Sequence, residues 1–257
     1  MMPISGLRLT RRGWEREEAN MSTSWKQNFS KAITFSYDDA VTQDIHLIEL
    51  LNKYNLKGTF NLNSELLGKK NILIREGQRV AHYKIAPEDV KYVYEGHEVA
   101  VHTLTHPLLP MLEEAEIIRQ VEEDRKNLEA LVGYDVVGMA YPGGGVNNDD
   151  RVAEIIKNNT KIRYCRTTTN TDSFDEQSYL HRFNPNVYHM LEYDRLMEMG
   201  QRFLDLTPDK PQIFYIWGHA YEMDYDPSYW PKMEEFFKLI SGRSDIFYGT
   251  NAQVLLG

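Results

Sequence analysis

From about residue 30 onward the apolar positions fall into two recurring patterns. One is a short continuous or alternating run; the other is a longer stretch with apolar residues three or four apart. The first predicts strands and the second helices. Ala32–Phe35 reads as a short buried strand, and Gly58–Asn63 alternates apolar and polar as a half-buried strand does. Asp44–Tyr54 carries Ile45, His46, Ile48 and Leu51 at helical spacing and ends near Asn55. Pro87 opens a helix through Tyr94 that Gly96 stops. His97–Val101 is a strand, and Glu113–Leu131 is a long amphipathic helix with Ile117, Val121, Leu128 and Leu131 as its stripe. Further strands are predicted at Val136–Ala140, Lys161–Cys165, Gln212–Trp217 and Ile246–Tyr248. Further helices are predicted at Asp149–Asn158, Tyr193–Leu204 and Ser228–Ile240. Residues 167–190 are mixed, with Pro185–Tyr188 strand-like, and residues 68–86 read as a polar, irregular surface excursion.

Strand–helix alternation implies a parallel sheet covered by helices. Short strands flanked by helices over roughly 225 residues suit a closed or nearly closed barrel better than an open sheet. No repeat or low-complexity linker interrupts the pattern, so residues 29–257 are expected to form one domain. Residues 1–28 are polar, with Arg8, Arg11, Arg12 and Arg16, and read as a disordered leader in which Met21 is a candidate start.

Composition narrows the function. The chain has 257 residues, 42% hydrophobic and 26% charged, enough for a core without staples. Its net charge is -9 with no basic run in the folded part, which argues against a nucleic-acid partner. The single cysteine, Cys165, excludes an intramolecular disulfide and a cysteine-rich zinc site, so any metal must take histidine and carboxylate. No segment has signal-peptide or transmembrane length, and the expected location is cytoplasmic, without a membrane partner.

The unusual polar residues follow strands. Asp38-Asp39 comes after the first strand and His102-Thr103-Leu104-Thr105-His106 after the third. The turn Tyr141-Pro142-Gly143-Gly144-Gly145 follows the fourth, Arg166 ends the fifth, and His219 follows Phe214–Gly218. The carboxyl ends of barrel strands form the active-site face. Two imidazoles and a carboxylate there supply three protein ligands and leave a position open for water.

These residues make the chain resemble the polysaccharide deacetylases of carbohydrate esterase family 4, over about residues 30–250. The family's aspartate-pair motif appears as Phe35-Ser36-Tyr37-Asp38-Asp39-Ala40, and its His-Ser/Thr-x-x-His motif as His102–His106 with Pro107. Its arginine-containing turn appears without the arginine as Ala140-Tyr141-Pro142-Gly143-Gly144, and its last motif as Ile216-Trp217-Gly218-His219. The resemblance implies a distorted (β/α) barrel of about seven parallel strands. It implies a metal-dependent hydrolase removing an N-acetyl group from an amino sugar or oligosaccharide. Asp39, His102 and His106 would be metal ligands, Asp38 the base, His219 the acid, and the Gly143 N–H an oxyanion donor. Zinc comes first as the ion, and Co2+, Ni2+ or Fe2+ suit the same donors. Arg166 can supply the cation missing from the third motif. No equivalent of the buttress that the family gives its catalytic histidine is found in Tyr164–Thr169.

The fold does not fix the substrate. Hydrolysis of a non-sugar amide or an O-acetyl ester, or carbohydrate binding without catalysis, remain alternatives. Asn61, Asn63, Tyr141, Trp217 and Glu222 are candidate substrate contacts, with Tyr221 beside them. His189 is a substrate contact or a packed histidine, and His46, His82, His97 and His181 read as surface or packing residues. Cys165 is a small buried hydrophobe, and Trp230, like Trp217, stacks a sugar or fills the core.

Overall fold

The computed structural model describes residues 24–190 and 193–257. The expected leader therefore lies outside the described residues as far as residue 23. The rest of that span is folded: Trp25–Gln27 makes a 3-10 turn, and the buried Trp25 indole donates to Val254 O at 3.0 Å.

The elements run β1 (Lys31–Asp38), α1 (Asp44–Lys53), β2 (Gly58–Leu62), β3 (Lys70–Arg75), β4 (Gln78–Tyr83), α2 (Val90–Val93), β5 (Glu98–Val101) and α3 (Glu114–Val132). They continue as β6 (Gly138–Ala140), α4 (Asp150–Asn159), β7 (Tyr164–Arg166), β8 (Val187–Tyr188), α5 (Tyr193–Leu204), β9 (Gln212–Gly218), α6 (Tyr229–Ile240), β10 (Phe247–Tyr248) and α7 (Asn251–Leu255). The main sheet has the order β7–β6–β5–β2–β1–β9–β8, with β10 on β1. Every pairing in it is parallel. All residues of β1, β2 and β9 are buried, as strands covered on both faces must be. The sheet curls so that its two ends approach. The parallel bridge Arg166↔Phe183 stitches them, with Phe183 N donating to Cys165 O and Thr167 N to Phe183 O. The result is a distorted (β/α) barrel with seven parallel strands in series and β10 as an eighth on β1.

Two elements differ from the sequence reading. Residues 68–86 are not irregular. There β3 and β4 form an antiparallel hairpin, paired from Lys70↔Tyr83 to Arg75↔Gln78 around Glu76 and Gly77, both at positive φ. That is the two-residue turn whose twist suits a hairpin. Its partly exposed, charge-rich strands mask the period of two that would have revealed it. The second is α7, a short helix started by a capping box between Thr250 and Gln253.

Candidate metal centre and active site

Asp38 is the last residue of β1, and Asp39 and Ala40 turn the chain away with φ of 86° and 52°. His102 follows β5, and in its loop Thr103 and His106 hold φ of 69° and 64°. A left-handed conformation at a non-glycine residue costs about 1–2 kcal/mol, so both turns must be held by their surroundings. Asp39 N donates to Asn61 O at 3.0 Å. Asn63 Nδ2 donates to His102 O at 2.5 Å and Thr103 O at 2.9 Å. From α3, the Asp124 carboxylate accepts from His102 N and Ser64 N, and Gln120 Oε1 accepts from Thr105 N.

Asp39, His102 and His106 offer donor atoms that all lie within 4.8 Å of one another, and they are the group able to hold a metal ion among the described residues. His102 Nδ1 lies 2.8 Å from Ala140 O. A carbonyl only accepts, so Nδ1 carries the hydrogen and Nε2 keeps its lone pair toward the carboxylates. Burial is the largest influence on His102 and lowers its pKa to about 4; burial likewise lowers that of His106. Both imidazoles are thereby kept in the neutral form that binds metal. On Asp39, burial alone would raise the pKa. The His82 hydrogen bond and the Lys84 charge, with the His219 and His102 charges, outweigh it and hold the carboxyl well below the usual range. A carboxylate and two neutral imidazoles on two neighbouring turns beside a cavity fit a divalent ion.

Asp38 sits in different surroundings. Arg166 Nη2 lies 2.6 and 2.5 Å from its two oxygens, and Asn61 Nδ2 donates to Oδ1 at 2.8 Å. A single guanidinium nitrogen spans both oxygens, while Nη1 donates to the Thr167 carbonyl. Arg166 is fully buried, with its guanidinium 4.5 Å over the Trp217 ring. Burial would raise the Asp38 carboxyl, but Arg166, then His102 and His219, hold it below its ordinary value.

His219 faces the two aspartates, with Nε2 3.8 Å from Asp38 Oδ2 and 4.0 Å from Asp39 Oδ2. Its Nδ1 donates to Glu222 Oε2 at 3.1 Å. Glu222 is 5% exposed, and its other oxygen accepts from the Tyr188 hydroxyl. Burial would lower the His219 pKa. The Glu222 charge and hydrogen bond, followed by Asp38 and Asp39, push it up to about 9.

These groups open onto one cavity of about 490 Å³, lined also by Tyr141, Gly143–Gly145, Thr168, Tyr188, Trp217 and Tyr221. Several expected substrate contacts are placed otherwise. Asn61 and Asn63 are each 1% exposed, and both amides bond within the protein behind the aspartates and the histidine loop. They do not line the cavity, because strand alternation turns them inward. Glu222 is a buried partner of His219, the buttress not found in the sequence. It is not a substrate contact, because the 3-10 turn at Ala220–Asp224 brings it back against His219, three positions before it. Tyr141 lines the cavity but is fully buried, its hydroxyl donating to His181 O at 2.8 Å. Trp217 reaches the wall with 8% exposure, its indole tied to Asn170 Oδ1. Gly143 stands at the cavity with φ 80°, and a Cβ there would meet Leu108 Cδ2 at 2.7 Å.

Of the other histidines, His82 is no mere surface residue. It lies 3.4 Å from Asp39 Oδ2 and edge-on to Tyr221. His189 is fully buried against Tyr37 and Gly218 and is outside the cavity lining. Lys84, on Asp39, and Asp124 had no motif to announce them.

The family model for polysaccharide deacetylases matches residues 26–161, and the chain belongs to that family. It is 30% identical over 126 residues to a peptidoglycan-N-acetylmuramic acid deacetylase, PdaC, of Bacillus subtilis, covering 47% of this chain and 23% of that protein. It is 27% identical over 134 residues to a peptidoglycan-N-acetylglucosamine deacetylase, PgdA, of Listeria monocytogenes, covering 51% and 25%. The matches thus span about a quarter of those relatives' length. Among solved structures, one from Mycobacterium smegmatis assigned to the polysaccharide deacetylases aligns with TM-score 0.64 over 91% of this chain and 92% of that one, at 14% identity. The Xyl-CE4 domain of a multidomain xylanase from a Trinervitermes trinervoides hindgut metagenome aligns with TM-score 0.53 over 88% and 90%, also at 14% identity. At those identities the likeness is one of fold. Family membership implies a divalent metal, and the candidate group for it is the one described above. Among the described residues no helix is long and apolar enough to cross a membrane.

Proposed function

We propose that this chain is a metal-dependent deacetylase that hydrolyses the acetamido group of an amino sugar in an oligosaccharide or polysaccharide, with zinc as its ion. The observation that carries the reading is the contrast between two adjacent carboxylates. Asp38 is clamped by Arg166, Asp39 is turned toward His102 and His106, and both face His219 across one cavity. The two relatives, named for deacetylating N-acetylmuramic acid and N-acetylglucosamine in peptidoglycan, support an N-acetyl sugar as the substrate.

In this reading Asp39, His102 and His106 hold the ion. When bound, it supplies Lewis acidity, acidifying a water and drawing charge from the acyl oxygen. Asp38 accepts the proton of the attacking water, and Arg166 keeps it ionised and oriented for that task. The Gly143 N–H donates to the acyl oxygen as negative charge develops there. His219 holds its proton on Nε2, since Nδ1–H is committed to Glu222, and gives it to the departing nitrogen. An amide nitrogen leaves poorly without that proton.

The test pairs elemental analysis with acetate release. Zinc-reconstituted wild type should release acetate from N-acetylated oligosaccharides, and His102→Ala should lose both metal and release. Equal metal in the two proteins would sink the ligand assignment. Release only from an O-acetyl ester or a non-sugar amide offered alongside would transfer the activity to that substrate.

A further inference from the structure

The hairpin of β3 and β4 ends in a chain segment that runs antiparallel along the turn after β1. Thr42 N donates to Tyr83 O, Ile85 N to Ala40 O, and Val41 pairs with Lys84. This segment places Lys84, 9% exposed, directly on Asp39. Its Nζ donates to the Asp39 main-chain carbonyl at 2.5 Å and lies 3.3 Å from Asp39 Oδ1. The same Oδ1 lies 3.8 Å from His106 Nε2. One carboxylate oxygen therefore faces both the imidazole with which it would share a metal and a buried ammonium. A divalent ion's ligand usually has hydrogen-bond donors behind it, and a neutral donor is enough for that. A full positive charge acts differently: it neutralises the carboxylate in the absence of metal and repels a cation that arrives.

We propose that Lys84 is a resident counter-ion for Asp39, delivered by the hairpin, that stabilises the metal-free site and weakens its hold on a divalent ion. The proposal rests on Asp39 being a metal ligand, as proposed above. Lys84 is a positioning residue in this account. Its bond to the Asp39 carbonyl braces a backbone held at φ 86° and followed by Ala40 at 52°. Its charge offsets the burial of Asp39, which is 7% exposed. The cost falls on metal affinity. Charges of one and two units a few ångström apart repel, even at the dielectric of water, by enough to change an affinity about tenfold. The site would then exchange its ion and fill in response to the metal concentration around it.

The test is zinc titration of chelator-stripped full-length protein against a chromophoric competitor, together with thermal unfolding of the same metal-free samples. Lys84→Met should bind zinc about tenfold more tightly or better while unfolding at a lower temperature without metal. Lys84→Arg keeps the charge and should bind zinc like wild type, even if Lys84→Met fails to fold. Arg79→Ala, on the same hairpin but exposed, should change neither quantity. A purely structural lysine would give weaker zinc binding in Lys84→Met, and that result overturns the proposal. So does zinc binding by Lys84→Arg that is tenfold tighter than that of wild type. If His102→Ala binds zinc as wild type does, the metal site itself is misplaced and this proposal falls with it.

Discussion

Glu222→Gln is the most informative single change at the acid side of the site. The carboxylate sits 3.1 Å from His219 Nδ1 and is 5% exposed, so water screens it poorly. His219 stands at about 9 against an ordinary 6.5, and Glu222 is the largest influence in that direction. A glutamine side-chain oxygen keeps an acceptor in place and removes the charge. Unit charges near 4 Å interact by about 4 kcal/mol at an effective dielectric of 20, which sets a ceiling of about three pH units. Asp38 and Asp39 still act on the ring, so a fall of about one to two units is expected. A general acid works only while protonated. Activity is therefore lost as pH rises through its pKa, and the alkaline limb of the pH profile should move down by that amount. The assay is acetate release from an N-acetylated oligosaccharide by zinc-loaded wild type and Glu222→Gln across the pH range. Linkage gives a second readout in metal-free protein. A raised histidine pKa contributes stability fully below the unfolded value of 6.5, and that stability is lost as pH rises through about 9. The variant should show a smaller stability loss between those two pH values. An unchanged alkaline limb would refute the assignment of His219 as acid and Glu222 as its buttress.

Two further outcomes follow from the same geometry. Arg166→Lys should lower turnover and Arg166→Met should lower it further. In Arg166→Met the acidic limb of the pH profile should move upward, because Asp38 loses the cation that holds its pKa down and must be ionised to act; an acidic limb that stays put would separate Arg166 from the base. Gly218→Ala should destabilise the fold by about 2–3 kcal/mol or more in denaturant melts, because a Cβ there overlaps the buried His189 ring; a change within about 0.5 kcal/mol would show that β9 and His189 part more easily than their packing implies.

The main architecture was legible in the sequence because buried parallel strands and amphipathic helices carry strong periods. Tyr193–Leu204 and most of β9 fall where the pattern put them. The hairpin was not legible, since strands with exposed charged residues at Lys70, Arg75 and Arg79 carry a weak apolar signal. In the site, the residues that follow strands were visible as candidates through their position alone. What stood behind them was not. Asn61 and Asn63 show the right types on the right strand, but only the packed structure tells that their amides turn inward. Lys84 and Asp124 reach the site from a hairpin and from α3, and contacts between residues 45 and 22 positions apart leave no local trace.

The proposed division of labour has Asp38 moving a proton and Asp39 holding the ion. Its most direct test is Asp38→Asn measured for zinc content and acetate release on the same sample. Zinc should be retained near one per chain with turnover lower by about 10²-fold or more, as loss of a general base requires. Loss of the zinc, or retention of both zinc and turnover, would contradict it.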